Sequence, residues 1–130
     1  MRFNPTCPAP STTRAALGQW GESQVRDWCL AQGFTILAAH VTAPDSEIDL
    51  ITQHGDRIAF CEVRVRRTLT GPTALESIGY RKQQKLRLGA DRWMASLKEI
   101  PPDWHFHFDV YLLERGRDGV WELERIEDAF

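Results

Sequence analysis

The sequence predicts an α/β domain in which a mixed central β-sheet of about five strands is flanked by helices. Helical patterns end before Gly33 and begin again near Tyr80, and patterns typical of strands fill most of the sequence between and after them. The resulting order of elements is α-β-β-β-α-β-β. At 130 residues, the chain is long enough to bury one hydrophobic core.

The first half of the chain predicts one helix and three strands. Ser11, Thr12 and Thr13 supply N-cap side chains for the first helix, which ends before Gly33. Three strands are expected to follow, at residues 34–40, 47–52 and 57–65. A polar loop at residues 41–46 is expected to join the first two. A hairpin turn at residues 54–56 joins the second and third strands.

The third strand has apolar side chains on both faces over its first half, which is typical of a central strand covered on both sides. Its two faces alternate as Ala59, Cys61, Val63 and Val65 against Ile58, Phe60, Glu62 and Arg64. Charged residues therefore appear only at the far end of the strand.

The second half predicts a loop, two helical segments and two strands. In chain order these are a loop at 66–72, a short helical segment at 73–78, a helix at about 80–97, and strands at 104–113 and about 120–126. The apolar stripe of the long helix consists of Leu86, Ala90, Trp93 and Leu97. A turn at 116–119 separates the last two strands.

Residues 1–12 are expected to form a flexible N-terminal tail, and residues 13–130 a single domain. Apolar residues make up 42% of the chain and charged residues 26%, as in ordinary globular proteins. No run of about 18 apolar residues exists, so we expect no membrane partner. The three cysteines form no spaced pair, which favours a reducing, cytoplasmic location.

The charge distribution is uneven although the net charge is only −2. Between Arg64 and Arg92, eight basic residues stand against two acidic ones, which leaves a local charge of +6. A basic face of this kind can bind the phosphates of a nucleic acid. The candidate nucleic-acid-binding residues are Arg66, Arg67, Arg81, Lys82, Gln83 and Lys85.

Charged side chains interrupt the second and third strands. Asp49 lies among apolar residues of the second strand, and Glu62 and Arg64 project from the same face of the third. The hairpin brings these strands together, although a register counted from the turn leaves the partner of Asp49 open between Arg57 and Glu62. Two carboxylates beside a cation predict a site for Mg²⁺ or Mn²⁺ acting on phosphate. The alternative is a structural ion-pair network.

Several stretches together make the sequence similar to the YraN-like family of small bacterial proteins, which resemble the PD-(D/E)XK nuclease superfamily and archaeal Holliday junction resolvases in particular. The similarity covers about residues 18–130. The matching stretches are Gly21-Glu22, Glu47 to Ile51, Phe60 to Arg66, Arg81 to Leu86, Phe108 to Val110 and Glu127 to Phe130.

The resemblance implies a restriction-endonuclease-like fold and a metal-dependent endodeoxyribonuclease. By this resemblance Asp49 and Glu62 are metal-binding acids, and Glu22 on the first helix is an additional acidic ligand. Arg64 stands where active nucleases usually carry lysine, and the two are not equivalent at a catalytic position. Ser46 replaces a glycine that is usual before Glu47. The implied partner is DNA, with branched DNA as the first substrate to try.

Two other functions remain open from the residues. One is a non-catalytic nucleic-acid-binding module, and the other is a protein-interaction module, including a homodimer. A second metal site at His105, His107 and Asp109, which alternate on one strand face, is the less favoured interpretation of that stretch. The favoured one is an ordinary strand whose opposite face fills the core.

Overall fold

The structure is a computed structural model that describes residues 1–11, 13–67 and 78–130. Its elements are β1 (Arg2–Phe3), α1 (Arg14–Ala31), β2 (Thr35–Ala43), β3 (Ser46–His54), β4 (Arg57–Arg66), α2 (Tyr80–Ser96), β5 (His105–Arg115) and β6 (Trp121–Ile126). The short helical segment predicted for residues 73–78, and most of the preceding loop, lie outside the described residues.

The strands form one mixed sheet in the order β1-β6-β5-β4-β3-β2. All neighbouring strands are antiparallel except β4 and β5, which are parallel. The predicted α/β class with a mixed sheet is therefore confirmed. The described part of the chain has six strands rather than about five because Arg2–Phe3 adds a short strand at one edge.

Helices α1 and α2 cover opposite faces of the sheet. Val25 and Cys29 of α1 belong to the same buried cluster as Cys61 and Tyr111. Leu86 and Ala90 of α2 belong to a second cluster, on the other face, with Ile48, Ile58 and Phe60. The alternation predicted for β4 is confirmed, since Cys61 and Val63 face α1 while Ile58 and Phe60 face α2.

Helix α1 begins and ends where the sequence predicts. The Thr13 hydroxyl oxygen accepts a hydrogen bond from the Ala16 N–H at 3.1 Å, which satisfies one of the free donors of the first turn. The helix ends before Gly33, whose φ of 87° reverses the chain into β2.

The prediction of a polar loop at residues 41–46 is wrong for most of that range. Strand β2 continues to Ala43 and β3 begins at Ser46, which leaves a turn of two residues. The pairs Val41–Ile48, Thr42–Glu47 and Ala43–Ser46 hold the two strands together. Polar composition misled the prediction because an edge strand needs backbone pairing but few buried side chains.

Several residues of the N-terminal segment, which the sequence predicts to be a flexible tail, contact the rest of the domain. Phe3 is buried and pairs with Trp121 of β6. The Thr6 N–H donates to the Gln24 Oε1 at 2.7 Å, and Trp20 Nε1 donates to the Cys7 carbonyl at 3.0 Å. These contacts attach the segment to α1. The domain boundary near residue 12 stays a prediction.

The buried carboxylate of Asp109 joins the C-terminus to the sheet. Arg57 donates two hydrogen bonds to it, at 2.6 and 2.9 Å, and the Asp128 N–H donates a third at 3.0 Å. The ring of Phe130 stacks on Phe108 at 5.5 Å between centroids. Because these groups occupy both Asp109 oxygens, the chain uses Asp109 as a structural anion, and nothing favours the metal site considered for this strand.

Neither of the two described helices has the length and apolar character that crossing a membrane requires.

Two glycines of α1 provide a matched test of how closely this helix approaches β4. A Cβ added to Gly21 would overlap Cγ2 of Val65, whereas a Cβ on Gly18 would meet nothing within 4 Å. Gly18→Ala is therefore expected to stabilise the protein by about 0.5–1 kcal/mol through helix propensity. Gly21→Ala is expected to destabilise it by about 1–3 kcal/mol, because the branched Val65 side chain cannot turn away freely.

Urea unfolding of both variants and of the double variant Gly21→Ala/Val65→Ala measures these effects. The double variant should recover part of the loss, since the two positions are in contact and couple. Equal effects of Gly18→Ala and Gly21→Ala would show that α1 does not pack against β4 as described.

Candidate functional site: an acidic cluster with Lys82

The β3–β4 ladder opens at Asp49 and Glu62. Its last recorded pair is Leu50–Cys61, and the same register would place Asp49 opposite Glu62. Beyond that pair, the Asp49 side chain substitutes for the backbone, because its Oδ2 accepts a hydrogen bond of 2.8 Å from the Val63 N–H. The register that the sequence left open thus brings Asp49 beside Glu62.

The opposite side of Asp49 is irregular as well. In the β2–β3 ladder, the pairs Ala39–Leu50 and Val41–Ile48 flank the position where His40 faces Asp49. His40 has a φ of 52°, a left-handed conformation that is uncommon for a non-glycine residue. Its Nδ1 lies 3.6 Å from Glu22 Oε2. This departure from regular strand geometry had no signal in the sequence.

Glu22 reaches the cluster from helix α1. Burial is the largest cause of a rise in the pKa of Glu22 to about 7. The negative charge of nearby Asp49 also raises this pKa, and His40 partly lowers it. The neighbouring Gly21 allows α1 to lie close to β4, which brings Glu22 near the strands. The structure therefore brings Glu22 and Asp49 together, as the sequence comparison implied.

Glu62 is the most strongly perturbed acid of the cluster. Only 4% of its side chain is exposed. Burial raises the pKa of Glu62 to about 8, with a further contribution from the Asp49 charge that the cations Lys82 and Arg64 partly offset. Its Oε2 is buried and has no hydrogen-bond partner within the described ranges. That oxygen is therefore an acceptor whose burial no hydrogen bond compensates.

Two cations lie against the other oxygen of Glu62. Arg64 Nε is 3.3 Å from Glu62 Oε1, an ion pair that does not meet hydrogen-bond geometry. Lys82 Nζ is 3.5 Å from the same oxygen and donates to Glu47 Oε2 at 3.0 Å. Desolvation lowers the pKa of Lys82, but the acids around it outweigh that effect and raise it, so Lys82 stays an ammonium.

Lys82 therefore belongs to the acidic cluster, whereas the sequence had predicted it among the residues that contact nucleic acid. A signal for this placement existed. Lys82 lies four residues before the buried Leu86, so both project from nearly the same side of α2 towards the sheet.

The other predicted nucleic-acid-binding residues fall into two groups. Arg66 Nε lies 3.5 Å from Glu114, and Gln83 donates to the Ile78 carbonyl at the start of α2. Arg81 and Lys85 are exposed, and Arg67 is half-buried at the end of its described segment. The structure thus leaves Arg81 and Lys85 as the cations of α2 that face solvent near the cluster.

A cleft of about 220 Å³ opens beside Asp49, between α1 and the edge of the sheet. Its lining consists of Gln19, Glu22, Ser23, Arg26, Ala39, His40, Asp49 and Leu50. Arg26 adds a cation to this side of the cluster. The cleft therefore gives solvent access to Asp49 and Glu22.

Within residues 1–11, 13–67 and 78–130, no three His, Cys, Asp or Glu side chains are already gathered as a metal-binding group. Asp49 instead interacts with Glu22 on one side and Glu62 on the other. Closer approach of the three carboxylates is opposed by their repulsion, which a bound cation removes.

Comparison with known proteins identifies the family. The profile of the Uncharacterised protein family UPF0102 matches residues 21–113, well over half of the chain. The chain belongs to this family. The membership predicted from the sequence as YraN-like is thereby confirmed. The matched segment contains every residue of the acidic cluster.

UPF0102 relatives cover nearly the whole chain. A UPF0102 protein of Pseudomonas putida is 36% identical over 126 residues, which are 95% of this chain and 98% of the relative. One from Symbiobacterium thermophilum is 35% identical over 114 residues, covering 88% and 95%. One from Yersinia enterocolitica is 36% identical over 109 residues, covering 84% and 89%. The similarity to these UPF0102 proteins therefore spans most of both chains.

The buried Glu62 predicts a measurable pH dependence of stability. Because the pKa of Glu62 is higher in the folded protein, about 8, than its ordinary 4.5, unfolding releases its proton between these values. Stability is therefore lost as pH rises from about 4.5 to about 8. Glu62→Gln should be more stable than the wild type at pH 9 by more than ~1 kcal/mol, with a smaller advantage at pH 5.

Urea unfolding at pH 5, 7 and 9 checks this expectation, with the exposed Glu99→Gln as the control that should follow the wild type. An advantage of Glu62→Gln that is the same at all three pH values would contradict the burial of an ionisable Glu62.

Proposed function

We propose that this UPF0102 protein is a Mg²⁺- or Mn²⁺-dependent endonuclease that acts on DNA with a site of the PD-(D/E)XK type. The observation that carries the proposal is the arrangement around Asp49. One of its oxygens is fixed by the Val63 N–H, while Glu22 and Glu62 interact with it from two sides. An α/β fold with a mixed sheet and helices on both faces is consistent with that superfamily resemblance.

The residues present fit a hard divalent cation. Mg²⁺ and Mn²⁺ prefer oxygen ligands, and Mg²⁺ is usually held by one or two carboxylates with water and phosphate oxygens completing the shell. The unpartnered Oε2 of Glu62 is such an oxygen. The raised pKa values of Glu22 and Glu62 mark carboxylates whose negative charge lacks sufficient compensation from the protein. Asp49, Glu62 and Glu22 are therefore the residues that would hold the metal.

When bound, the metal would lower the pKa of a water molecule and stabilise the negative charge that develops on the phosphate. The protein's own contribution is orientation. The Val63 N–H fixes the Asp49 carboxylate through Oδ2 and leaves Oδ1 for another interaction. The buried position of Glu62 limits the access of bulk water to that side of the site.

Lys82 and Arg64 would serve as the cations that contact phosphate. Neither is a general base, since the guanidinium stays protonated in proteins and the surrounding acids raise the pKa of Lys82. Lys82 carries three donors on a flexible chain, so it can exchange its contact with Glu62 for a phosphate oxygen. Lys82 would thereby supply the ammonium that position 64 lacks.

The DNA would lie along the exposed side of α2, where Arg81 and Lys85 face solvent. Branched DNA remains the first substrate to test, because the resemblance extends to junction resolvases. A cytoplasmic location is part of the proposal and rests on the free cysteines, of which Cys29 and Cys61 are buried. The homodimer stays a prediction.

One observation favours a second function, a nucleic-acid-binding module without catalysis. Arg64 occupies the position at which active nucleases usually carry lysine, and Lys82 already pairs with Glu62 and Glu47. A module of this kind would bind DNA whether or not Asp49 is intact.

Replacing Asp49 tests the metal site directly. Asp49→Asn keeps the shape of the side chain but removes its charge. Mn²⁺ binding, measured by calorimetry at pH 8, should therefore weaken at least about tenfold. A loss of this size is the smallest expected when the surroundings of a metal ligand are disturbed. Cleavage of a branched DNA should likewise fall by at least about tenfold. Asp91→Asn, an exposed change on α2, is the matched control.

Wild-type and Asp49→Asn proteins that bind Mn²⁺ equally would remove Asp49 from the metal site. If both proteins also bind DNA equally and neither cleaves it, the module without catalysis is the correct function.

Replacing Lys82 tests its place in the cluster. Lys82→Met should lower the cleavage rate by about 10²-fold, the usual loss for a donor that stabilises developing negative charge. The assay is run at pH 9, above the pKa of about 8 that Glu62 has in the wild type, to favour its ionised form. Lys98→Met, which removes an exposed lysine beyond the end of α2, is the control and should retain the wild-type rate. Equal rates for the two variants would assign Lys82 a structural role only.

A further inference from the structure

The first two turns of helix α2 present a solvent face that differs from its sheet-facing side. Its members are all exposed, and those three or four residues apart are neighbours on the helix surface. They are Tyr80, Arg81, Gln84 and Lys85. We call this set the α2 outer face. Two cations, an amide and an aromatic ring thus share one surface.

Tyr80 is unusual within this face. It is 76% exposed, more than any other large hydrophobic side chain of the described residues. In the part of the chain that the structure describes, no aromatic ring stacks on it and no hydrogen bond holds its hydroxyl. An aromatic ring exposed to this degree contributes little to the fold, so its two faces are available to a ligand.

The neighbours of Tyr80 indicate which ligand that is. Arg81 is exposed and forms no ion pair with another described residue. Lys85 is exposed one turn further along, and its charge lowers the pKa of Glu47 after the larger effects of Lys82. Cations beside an open aromatic ring match a polymer that alternates negative charge with flat apolar groups. A single strand of nucleic acid has this chemistry.

The α2 outer face is also next to the acidic cluster. Lys82, two residues after Tyr80, contacts Glu62 and Glu47. Tyr80 and Lys82 lie on different sides of the helix, but Lys82 is three residues before Lys85 and is therefore its neighbour on the helix surface. A strand that contacts Lys85 therefore lies beside Lys82 and Glu47, whose pKa the Lys85 charge helps to lower.

We propose that Tyr80 stacks on an unpaired base of DNA while Arg81 and Lys85 hold the phosphates on either side of that base. This rests on the proposed function and narrows its substrate to DNA with at least one unpaired nucleotide next to the phosphate that is cut.

A continuous duplex does not fit this face as well. In a duplex, both sides of each base are covered by neighbouring bases, and exposing one costs a few kcal/mol of unstacking. The Tyr80 ring then has no free base to stack on, and only the phosphate contacts of Arg81 and Lys85 contribute to binding. Preference for unpaired DNA is therefore expected to depend on Tyr80, while binding to duplex depends on the cations.

The test measures binding of the wild type, Tyr80→Ala, Tyr80→Phe and Arg81→Ala to a 20-nucleotide single strand containing 2-aminopurine and to the matching duplex. Binding is followed by fluorescence anisotropy in EDTA, so that no cleavage occurs. Tyr80→Ala should weaken single-strand binding by about 5- to 100-fold, the loss of one stacked base. It should leave duplex binding within twofold of the wild type.

Tyr80→Phe should retain wild-type binding, since stacking needs the ring and not the hydroxyl. The 2-aminopurine fluorescence should be quenched by the wild type and by Tyr80→Phe but not by Tyr80→Ala. Arg81→Ala should weaken both DNA forms alike and flatten the salt dependence. Leu30→Ala, another exposed apolar side chain, is the control for surface changes.

Equal single-strand binding by the wild type and Tyr80→Ala would overturn the stacking proposal, as would a loss that is the same for duplex. Either result leaves the nuclease proposal standing if Mn²⁺ binding still depends on Asp49. Absence of binding to both DNA forms at low salt would overturn the two proposals together.

Discussion

The hydrogen bond from the Val63 N–H to Asp49 Oδ2 is the contact on which the site depends. It replaces a rung of the β3–β4 ladder with a side chain, so the two strands separate without leaving the backbone donor unpaired. Beyond the last pair of this ladder, Glu22 of α1 interacts with Asp49, and Lys82 of α2 contacts Glu62.

The acids of this cluster are held in a state that costs stability. Glu62 is nearly inaccessible to water, close to Asp49, and left with one oxygen that accepts no hydrogen bond from a described residue. Lys82 and Arg64 offset only part of this cost, since the pKa of Glu62 remains raised to about 8. A protein that needed only a structural ion pair would have matched each carboxylate with a donor, as it does for Asp109 and Arg57. The contrast between these two buried acids supports a functional origin for the first.

The sequence predicted the central part of the fold because strand alternation and helix caps are local signals. The two faces of β4 and the N-cap at Thr13 are examples. The sequence left the residue opposite Asp49 open between Arg57 and Glu62, because the register depends on the turn and on irregularities that composition does not encode. The turn has two residues, and Gly55 adopts a φ of 63° within it.

Other features depend on tertiary contacts and had weak or no local signals. The strand Arg2–Phe3 forms only because β6 offers an edge for it to pair with. The backbone of His40 is determined by the strands around Asp49. Lys82 was recognised as a cation in a basic helix, but its acidic partners come from β3 and β4. Similarity to UPF0102 proteins shows the family, whereas the chemistry of the site depends on its geometry.

The most direct measurement is the anomalous diffraction of a crystal soaked in Mn²⁺ at pH 8. A bound metal is expected to give a peak between Asp49 and Glu62, with Glu62 Oε2 among its ligands and Lys82 moved away from Glu62. A crystal without a peak at that position, in which Lys82 still contacts Glu62 at millimolar Mn²⁺, would contradict the metal-dependent site.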